Sequence, residues 1–185
     1  GVILYDLDQE KDSTIVRPAR VSDAPGIAHV LVDTYLDTYR GLIQDSTLNR
    51  LSIPGRSTRW EQVIAARGSD IVLVAVDDKS NRVLGYAYGG TSRDVTLPDG
   101  EIYQLYVHPK AQGNHLGERL FVQFARALWL EGYVSMVVHV LEGNPAMHFY
   151  QRMGGIPVGS HMTTLDGKPY RENSFRWPDL DEFMD

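Results

Sequence analysis

The sequence contains no cysteine among its 185 residues. This absence excludes disulfide bonds, thiolate metal sites and a cysteine nucleophile. Long apolar runs are also absent: no stretch approaches the roughly 20 residues of a membrane span, and residues 1–13 mix apolar with charged types. From these absences we expect a soluble, cytoplasmic protein that does not associate with a membrane.

Several catalytic motifs are missing as well. The serine-hydrolase motif Gly-x-Ser-x-Gly does not occur, and Gly113 and Gly117 stand without the further glycines of a Walker loop or a dinucleotide fingerprint. The histidines form no close pair at metal-ligand spacing, so we predict no metal ion. Four of them are interpreted as residues in or beside the core: His29, His139, His148 and His161.

Negative charge predominates, with 24 acidic against 18 basic residues and a formal net charge of −6. This balance disfavours binding to nucleic acid and weakly favours cationic small molecules. The length suits one domain, and neither an internal repeat nor a low-complexity linker divides the chain. We therefore predict a single domain over 14–178, with terminal extensions at 1–13 and 179–185.

Hydrophobic periodicity alternates between the spacing of strands and that of helices. It predicts strands at 14–20, 71–76, 83–90, 101–107, 134–140, 157–165 and 170–177. It predicts helices at 27–40, 57–67, 117–131 and 145–152, with a short helix inside 41–54. Ser22 or Asp23 is expected to cap the first helix, and Pro25 fits its first turn. This order indicates a mixed α/β chain.

The segment from Glu101 to Gly117 combines a strand, a tight loop and the start of a helix. Pro109 ends the strand, and helical spacing begins at Gly117. Backbone N–H groups over 112–117 would then be uncapped donors at a helix N-terminus, where they favour an anion. Alone, this signal is weak, because turns into helices often need glycine for backbone reasons.

A second motif follows the strand at 134–140. It comprises a turn with Asn144, a short helix with Phe149 and Tyr150, and a glycine stop at Gly154. Together the two segments resemble the GNAT superfamily of N-acetyltransferases. The first is similar to motif A of that superfamily at Gln112, Gly113 and Gly117, and the second to motif B at Asn144, Pro145, Ala146, Phe149, Tyr150 and Gly154. His115 departs from the usual small residue of motif A and raises the question of side-chain crowding near the pyrophosphate.

The resemblance implies a GNAT-like α/β (α+β) fold. Its mixed, mostly antiparallel central sheet would have about six to seven strands, flanked by helices and splayed between the strands at 101–107 and 134–140. It also implies acetyl-CoA as the co-substrate, whose pantetheine arm would hydrogen-bond to Asn144 and lie like an added strand. The backbone that pairs with this arm would be that of Leu105, Tyr106 and Val107. The pyrophosphate would be bound by the amides of Gln112, Gly113, Asn114, His115, Leu116 and Gly117.

Catalytic roles also come from the resemblance. Tyr150 would protonate the departing thiolate, although periodicity alone favours a core tyrosine. Glu101 is the leading candidate for the general base, with a solvated turn residue as the alternative. His108 is a second candidate, acting directly or through water, unless it is an exposed loop residue. The amide of Leu105 would stabilise the oxyanion.

Family analogy places the acceptor beside the first helix. Tyr35 and Tyr39 lie one helical turn apart and would form an aromatic wall, or one of them would pack on the sheet. We expect direct transfer of an acetyl group to the primary amine of a small molecule in a ternary complex. The alternatives are a protein N-terminal or lysine acetyltransferase, an aminoacyl-tRNA acetyltransferase, which the acidic balance disfavours, and a non-catalytic acyl-CoA sensor. A homodimer is compatible with the sequence, because two-fold homo-oligomers are common.

Overall fold

One sheet runs through the computed structural model, which describes residues 13–66, 68–94, 96–97 and 99–185. Within these residues the strand order is β1-β2-β3-β4-β5-β7-β6. The strands are β1 (Thr14–Pro18), β2 (Ile71–Asp77), β3 (Val83–Thr91), β4 (Gly100–Val107), β5 (Met136–Leu141), β6 (Ile156–Leu165) and β7 (Lys168–Trp177). β4 and β5 run parallel, and the other neighbouring pairs are antiparallel.

Helices and short 3-10 turns connect these strands. The helices are α1 (Ala24–Tyr39), α2 (Asp45–Leu48), α3 (Ile53–Ala65), α4 (Leu116–Leu130) and α5 (Ala146–Arg152). The 3-10 turns are Val21–Asp23, Pro109–Ala111 and Leu180–Phe183. Among the described residues, none of the helices combines the length and apolarity needed to traverse a bilayer.

Alternation along β2 divides the core into two layers. Leu73 and Ala75 join the cluster that includes the apolar face of α4, whereas Val74 and Val76 join the one beneath α1 and α3. Successive strand residues point to opposite faces, so the sheet lies between α4 on one side and α1 with α3 on the other. The helical side chains that fill these layers include Ile27, Trp60, Leu120, Phe121 and Phe124.

The sheet opens between its two parallel strands. β4 and β5 pair only at their starts, where the last paired residues are Ile102 and Val138. Beyond that point β4 continues to Val107 and β5 to Leu141 without pairing to each other. A β-bulge precedes the opening, since the β3–β4 register shifts between Tyr88 and Gly89. Bulges increase local twist, which directs the end of β4 away from β5.

The predicted fold class is confirmed, including the mostly antiparallel sheet and the splay between the strands at 101–107 and 134–140. Several boundaries were wrong. The second long helix begins at Ile53 instead of 57, because Ser52 accepts the N–H of Gly55 (3.2 Å) and Pro54 suits a first turn. The predicted end of this helix at 67 lies outside the described residues. β5 begins at Met136, after a tight turn at Gly132 with positive φ.

The start of the first helix also differs from the prediction. Asp23, one of the two predicted residues, occupies the N-cap position of α1, but its side chain makes no capping hydrogen bond to the helix. The Asp23 carboxylate instead accepts hydrogen bonds from the Arg17 guanidinium (2.7 and 3.0 Å) and the Arg20 backbone (2.8 Å). Pro25 does lie in the first turn of α1, as predicted. These contacts connect the start of α1 to β1.

The two predicted terminal extensions differ in what the structure describes. Residues 1–12 lie outside the described residues. At the other end, Leu180 is fully buried within the α4 layer. Arg126 of α4 donates hydrogen bonds to the backbone oxygens of Phe183 (2.6 Å) and Asp185 (3.0 Å). The segment 179–185 therefore packs against α4.

Candidate active site

A cleft of about 690 Å³ occupies the opening between β4 and β5. Its walls come from both strands, the last turns of α1, the loop before α4, and α5. Polar and aromatic residues that line it include Thr34, Tyr39, Gln112, His139, Asn144, Tyr150 and Arg152. The motifs that the sequence indicated therefore meet in one place, because the splay leaves room between strands that would otherwise be paired.

The loop between β4 and α4 presents free backbone donors to this cleft. Gly113 has φ +91° and His115 has φ +58°, and α4 begins immediately afterwards without a side-chain cap. The first helical hydrogen bond in α4 is donated by Arg119 to the His115 carbonyl (3.1 Å). The preceding N–H groups, which include those of Leu116 and Gly117, stay available for an anion at the positive end of the helix dipole. The Gln112 side chain closes the loop by donating to the Val107 carbonyl (3.1 Å).

The side chain of His115 is directed to solvent. Its ring is 79% exposed and lies 3.5 Å from the Glu118 carboxylate in the first turn of α4. His115 affects the loop mainly through its backbone, because the left-handed conformation costs a residue with a Cβ about 1–2 kcal/mol. His115 therefore departs from the usual small residue through backbone strain, with its ring outside the loop.

We expect His115→Gly to raise the free energy of unfolding by about 0.5–1 kcal/mol. Relief of the left-handed strain exceeds the entropy that glycine adds to the unfolded chain, which is about 0.5–1 kcal/mol. Urea denaturation measures the change. His148→Gly in the right-handed helix α5 is the matched control, and it should destabilise because no strain is relieved there. A destabilised His115→Gly variant would contradict this account.

Tyr150 and Asn144 both line the cleft. Tyr150 is 5% exposed, and its ring packs against those of Phe121 and Trp177 at centroid distances of 6.4 and 6.0 Å. Burial, with a smaller contribution from nearby Tyr39, raises the pKa of Tyr150 well above its ordinary value. The phenol is therefore protonated near neutral pH, and within the described residues its hydroxyl has no recorded hydrogen-bond partner. It is available as a donor to a ligand.

A side-chain hydrogen bond connects the Asn144 turn to α1. The Asn144 amide nitrogen donates to the Tyr39 hydroxyl (2.9 Å), and its oxygen accepts the Ala146 N–H (2.9 Å). Asn144 is buried, and both ends of its amide already have protein partners. These bonds keep α5, and with it Tyr150, at a constant distance from α1.

The two predicted acceptor residues contact each other but face different surroundings. The rings of Tyr35 and Tyr39 lie 4.4 Å apart, and Tyr39 lines the cleft. Tyr35 packs edge-on against Tyr106 (6.2 Å) in the layer beneath α1, and burial raises its pKa to about 12. Thus one tyrosine faces the site and the other packs on the sheet.

Glu101 is fully buried and already engaged. One carboxylate oxygen accepts the Arg93 backbone N–H (3.0 Å), and the other accepts the Arg93 side chain at Nε (2.7 Å), with Nη2 2.6 Å away. A buried carboxylate needs such partners, because an unpaired charge is costly in the interior. Glu101 is not among the residues that line the cleft. Its contacts fit a role in anchoring the loop after β3.

His108 likewise lies outside the cleft lining. Its Nδ1 accepts the Lys110 N–H (3.2 Å), so the ring proton is on Nε2, which lies 2.8 Å from Asp33 Oδ2. His29 Nε2 lies 3.1 Å from the same oxygen, and the two imidazole rings are parallel. A histidine that binds a metal ion through one ring nitrogen usually donates a hydrogen bond from the other nitrogen. The Nδ1 atom of His108 accepts a hydrogen bond instead, so its contacts differ from those of a metal ligand. These residues form a hydrogen-bonded clamp between α1 and the end of β4.

The cleft also contains residues that were not identified from the sequence as site residues, among them Thr34, His139 and Arg152. A signal existed for His139, because it is a titratable side chain within the otherwise apolar strand β5. Arg152 follows Tyr150 on α5 and supplies a positive charge at the cleft. Thr34 had no distinguishing signal, since threonine is common on helices that pack against a sheet.

Comparison with known proteins identifies a family model and a curated relative that resemble this chain. The family model described as an acetyltransferase (GNAT) domain matches residues 68–154. The chain is 32% identical over 166 residues to a protein of Bacillus subtilis (strain 168) named uncharacterized N-acetyltransferase YuaI. That alignment covers 89% of this chain and 93% of the relative.

Solved structures share the fold over nearly the same extent. An N-acetyltransferase from Staphylococcus aureus Mu50 matches with a TM-score of 0.70 and 18% identity, covering 90% of this chain and 98% of that one. The PaiA N-acetyltransferase of Thermoplasma acidophilum, in complex with coenzyme A, matches with a TM-score of 0.65 and 15% identity. This match covers 87% of this chain and 98% of that one. The yncA protein of Salmonella typhimurium, with acetyl-CoA, matches with a TM-score of 0.68 and 22% identity. This match covers 91% of this chain and 94% of that one.

Proposed function

Because the chain belongs to the GNAT acetyltransferase family and is an N-acetyltransferase that uses acetyl-CoA, we propose that it acetylates the primary amine of a small molecule by direct transfer. The observation that carries this proposal is the single cleft in which the helix-start donors, Asn144 and Tyr150 meet. A covalent acetyl-cysteine route is excluded, since the chain has no cysteine. The amine would attack the thioester while both substrates are bound.

Residues of the cleft suit the parts of acetyl-CoA. The N–H groups over 112–117 would bind the pyrophosphate, supported by the charge of Arg152. The edge of β4 from Leu105 to Val107 has no strand partner on its β5 side, so the pantetheine arm would extend the sheet there. The Leu105 amide would donate to the oxyanion that forms at the thioester.

Tyr150 would protonate the leaving sulfur. Its raised pKa keeps the hydroxyl protonated, so it can donate toward sulfur as the C–S bond breaks. Burial strengthens this interaction, because water does not compete for the donor. The packing against Phe121 and Trp177 holds the ring in place during transfer.

The charges near the cleft favour a small cationic acceptor. Asp37 lies on the α1 side of the cleft, and the chain has a net charge of −6. An ammonium group is attracted to such a region before it is deprotonated. Tyr39 offers an aromatic surface beside it, which suits the aliphatic part of an amine.

A thiol-release assay tests the proposal. Purified protein would be incubated with acetyl-CoA and polyamines, amino acids, aminoglycosides or peptides with free N-termini, and free CoA thiol would be measured. We expect turnover with at least one small amine and none with the peptides. Turnover of peptides alone would overturn the assignment of a small-molecule acceptor. Tight acetyl-CoA binding with no turnover of any amine would overturn the enzyme proposal in favour of an acyl-CoA sensor.

Thr34 allows a test of ligand contact at the α1 wall. Its hydroxyl is buried and has no hydrogen-bond partner among the described residues, although Thr34 lines the cleft. We expect Thr34→Val to stabilise the free protein by about 1 kcal/mol, because valine removes an unsatisfied group of similar shape. We also expect acetyl-CoA affinity to fall by about fivefold, through loss of one neutral hydrogen bond. Urea denaturation and calorimetric titration measure the two effects.

The control for this prediction is Thr58→Val. The Thr58 hydroxyl donates to the Pro54 carbonyl (3.2 Å) on the exposed side of α3, away from the cleft. Its replacement should change neither acetyl-CoA affinity nor stability by a comparable amount. Unchanged acetyl-CoA affinity in Thr34→Val would show that the ligand does not use this hydroxyl.

A further inference from the structure

His139 lies in the cleft on the opposite side of the opening from β4. Its neighbours Val138 and Val140 point into the α4 layer of the core, so alternation along β5 turns His139 to the other face of the sheet. Glu101 pairs across the sheet with Val137 and faces the same side as His139, since their side chains approach each other. His139 is thus the titratable ring that lines the cleft beside the buried carboxylate.

The contacts of His139 orient its ring. Nδ1 lies 2.6 Å from the Ser174 hydroxyl on β7, which is itself buried. Nε2 lies 3.8 Å from Glu101 Oε1, close enough for electrostatic attraction but too far for a hydrogen bond. When Nδ1 carries the proton and donates it to Ser174, Nε2 keeps its lone pair. The ring then has one positioned donor and one unoccupied acceptor.

Other candidate bases are less available. Both Glu101 oxygens accept hydrogen bonds from Arg93, and both nitrogens of His108 are engaged by Lys110 and Asp33. Neither residue lines the cleft. A general base needs a lone pair within hydrogen-bond reach of the proton that it removes, directly or through one water. His139 lines the cleft and offers such a lone pair at Nε2 when Nδ1 donates to Ser174.

We propose that His139 is the general base that deprotonates the acceptor ammonium, and that Glu101 and Ser174 act as its positioning residues. This inference rests on the proposed function, because it assigns a role in the same acetyl transfer. Ser174 would hold the ring in the tautomer with a free Nε2. Glu101 would stabilise the imidazolium that forms when the ring accepts a proton.

The proton balance of the transfer is complete with these groups. The ammonium gives one proton to Nε2 of His139, and the resulting amine lone pair forms the C–N bond at the thioester carbon. As the C–S bond breaks, its electron pair goes to sulfur, which takes the Tyr150 proton. Collapse of the tetrahedral intermediate leaves an N-protonated amide, which returns one proton to Tyr150 and becomes the neutral amide. His139 then releases its proton to solvent.

The surroundings of His139 keep it neutral until the substrate arrives. Burial is the largest influence and lowers the pKa of His139 below its ordinary value. The charged groups that face it are Glu101 on β4, Arg93 and Asp94 in the loop after β3, His161 on β6 and Glu172 on β7. The two glutamates oppose the lowering, whereas Arg93 and His161 add to it. Activity that depends on neutral His139 is lost as pH falls through this lowered pKa.

The pH dependence of kcat/KM tests the proposal, measured with the panel amine that the wild type acetylates fastest. We expect His139→Gln to lower kcat/KM by about 100-fold near neutral pH and to remove the acidic limb of the profile. Acetyl-CoA affinity, measured by calorimetry, should change by less than about twofold, which shows that the variant is folded. Added imidazole should restore part of the activity of His139→Ala.

Two further variants separate this proposal from its rivals. His148→Gln replaces an exposed histidine on α5 outside the cleft and should leave the profile unchanged. Glu101→Gln should retain the acidic limb but move it to lower pH, because the carboxylate raises the pKa of His139. Loss of the limb in Glu101→Gln, with its retention in His139→Gln, would overturn the proposal in favour of Glu101. Absence of turnover by the wild type would instead overturn the proposed function itself.

Discussion

Tyr150→Phe is expected to lower kcat by about 10³-fold while acetyl-CoA affinity stays within about twofold. The substitution removes only the hydroxyl, so the ring contacts with Phe121 and Trp177 persist. Without the donor, the thiolate must leave as an unprotonated anion in a buried site, which is unfavourable. Steady-state kinetics at saturating acetyl-CoA, combined with calorimetric titration of acetyl-CoA, measure both quantities.

Tyr170→Phe provides the matched control. The Tyr170 hydroxyl accepts the Gln44 backbone N–H (3.2 Å) and is not among the residues that line the cleft. Its loss should leave kcat within about threefold, since the residue acts on packing and not on the reacting atoms. Equal kcat values for Tyr150→Phe and the wild type would reject the role of Tyr150 as a proton donor.

Gly89→Ala is expected to lower the free energy of unfolding by about 3–5 kcal/mol, a loss found only for severe steric or buried-charge defects. A Cβ at Gly89 would clash with the Glu101 carbonyl oxygen and lie 2.8 Å from Phe124 Cζ. The first neighbour is backbone, so the clash can be relieved only by separating β3 from β4 at the bulge. Urea denaturation and thermal unfolding report the change.

Gly68→Ala is the control for this substitution. A Cβ at Gly68 would meet no heavy atom within 4 Å, and its stability effect should stay within about 0.5 kcal/mol. The Gly89 variant should also lose acetyl-transfer activity, because the bulge precedes the opening that contains the cleft. A stable and active Gly89→Ala variant would show that the two strands can separate there without disturbing the site.

Local features of the sequence predicted much of the fold. The apolar run at 71–76 predicted the strand β2, and helical spacing from Gly117 predicted α4. These signals depend on side chains that are close together in the chain, so they can be interpreted without knowledge of the tertiary structure. The same holds for the loop at 112–117, whose donors belong to consecutive residues. Boundaries were less predictable, as at Ile53, because a single cap decides them.

Roles that depend on distant partners could not be predicted in this way. Glu101 and His108 had suitable chemistry, but Arg93 donates to both Glu101 oxygens, Lys110 donates to His108 Nδ1, and His108 Nε2 donates to Asp33. Hydrogen-bond occupancy is a property of the folded chain, and residue type alone does not reveal it. For the same reason the sequence could not decide which of Tyr35 and Tyr39 lines the cleft. The ring of Tyr35 packs beneath α1, whereas that of Tyr39 reaches the cleft.

The sequence by itself determined the family resemblance, the fold class that this resemblance implies, and the run of backbone donors over 112–117, because the motifs that carry them are short and contiguous. Only the tertiary structure brought His139 beside Ser174, 35 positions away along the chain, and beside Glu101 on β4. That juxtaposition depends on the splay between β4 and β5 and on the strand order β4-β5-β7. A single histidine in an apolar strand has no evident function until its neighbours in the sheet are known, since their contacts and burial set its tautomer and its pKa.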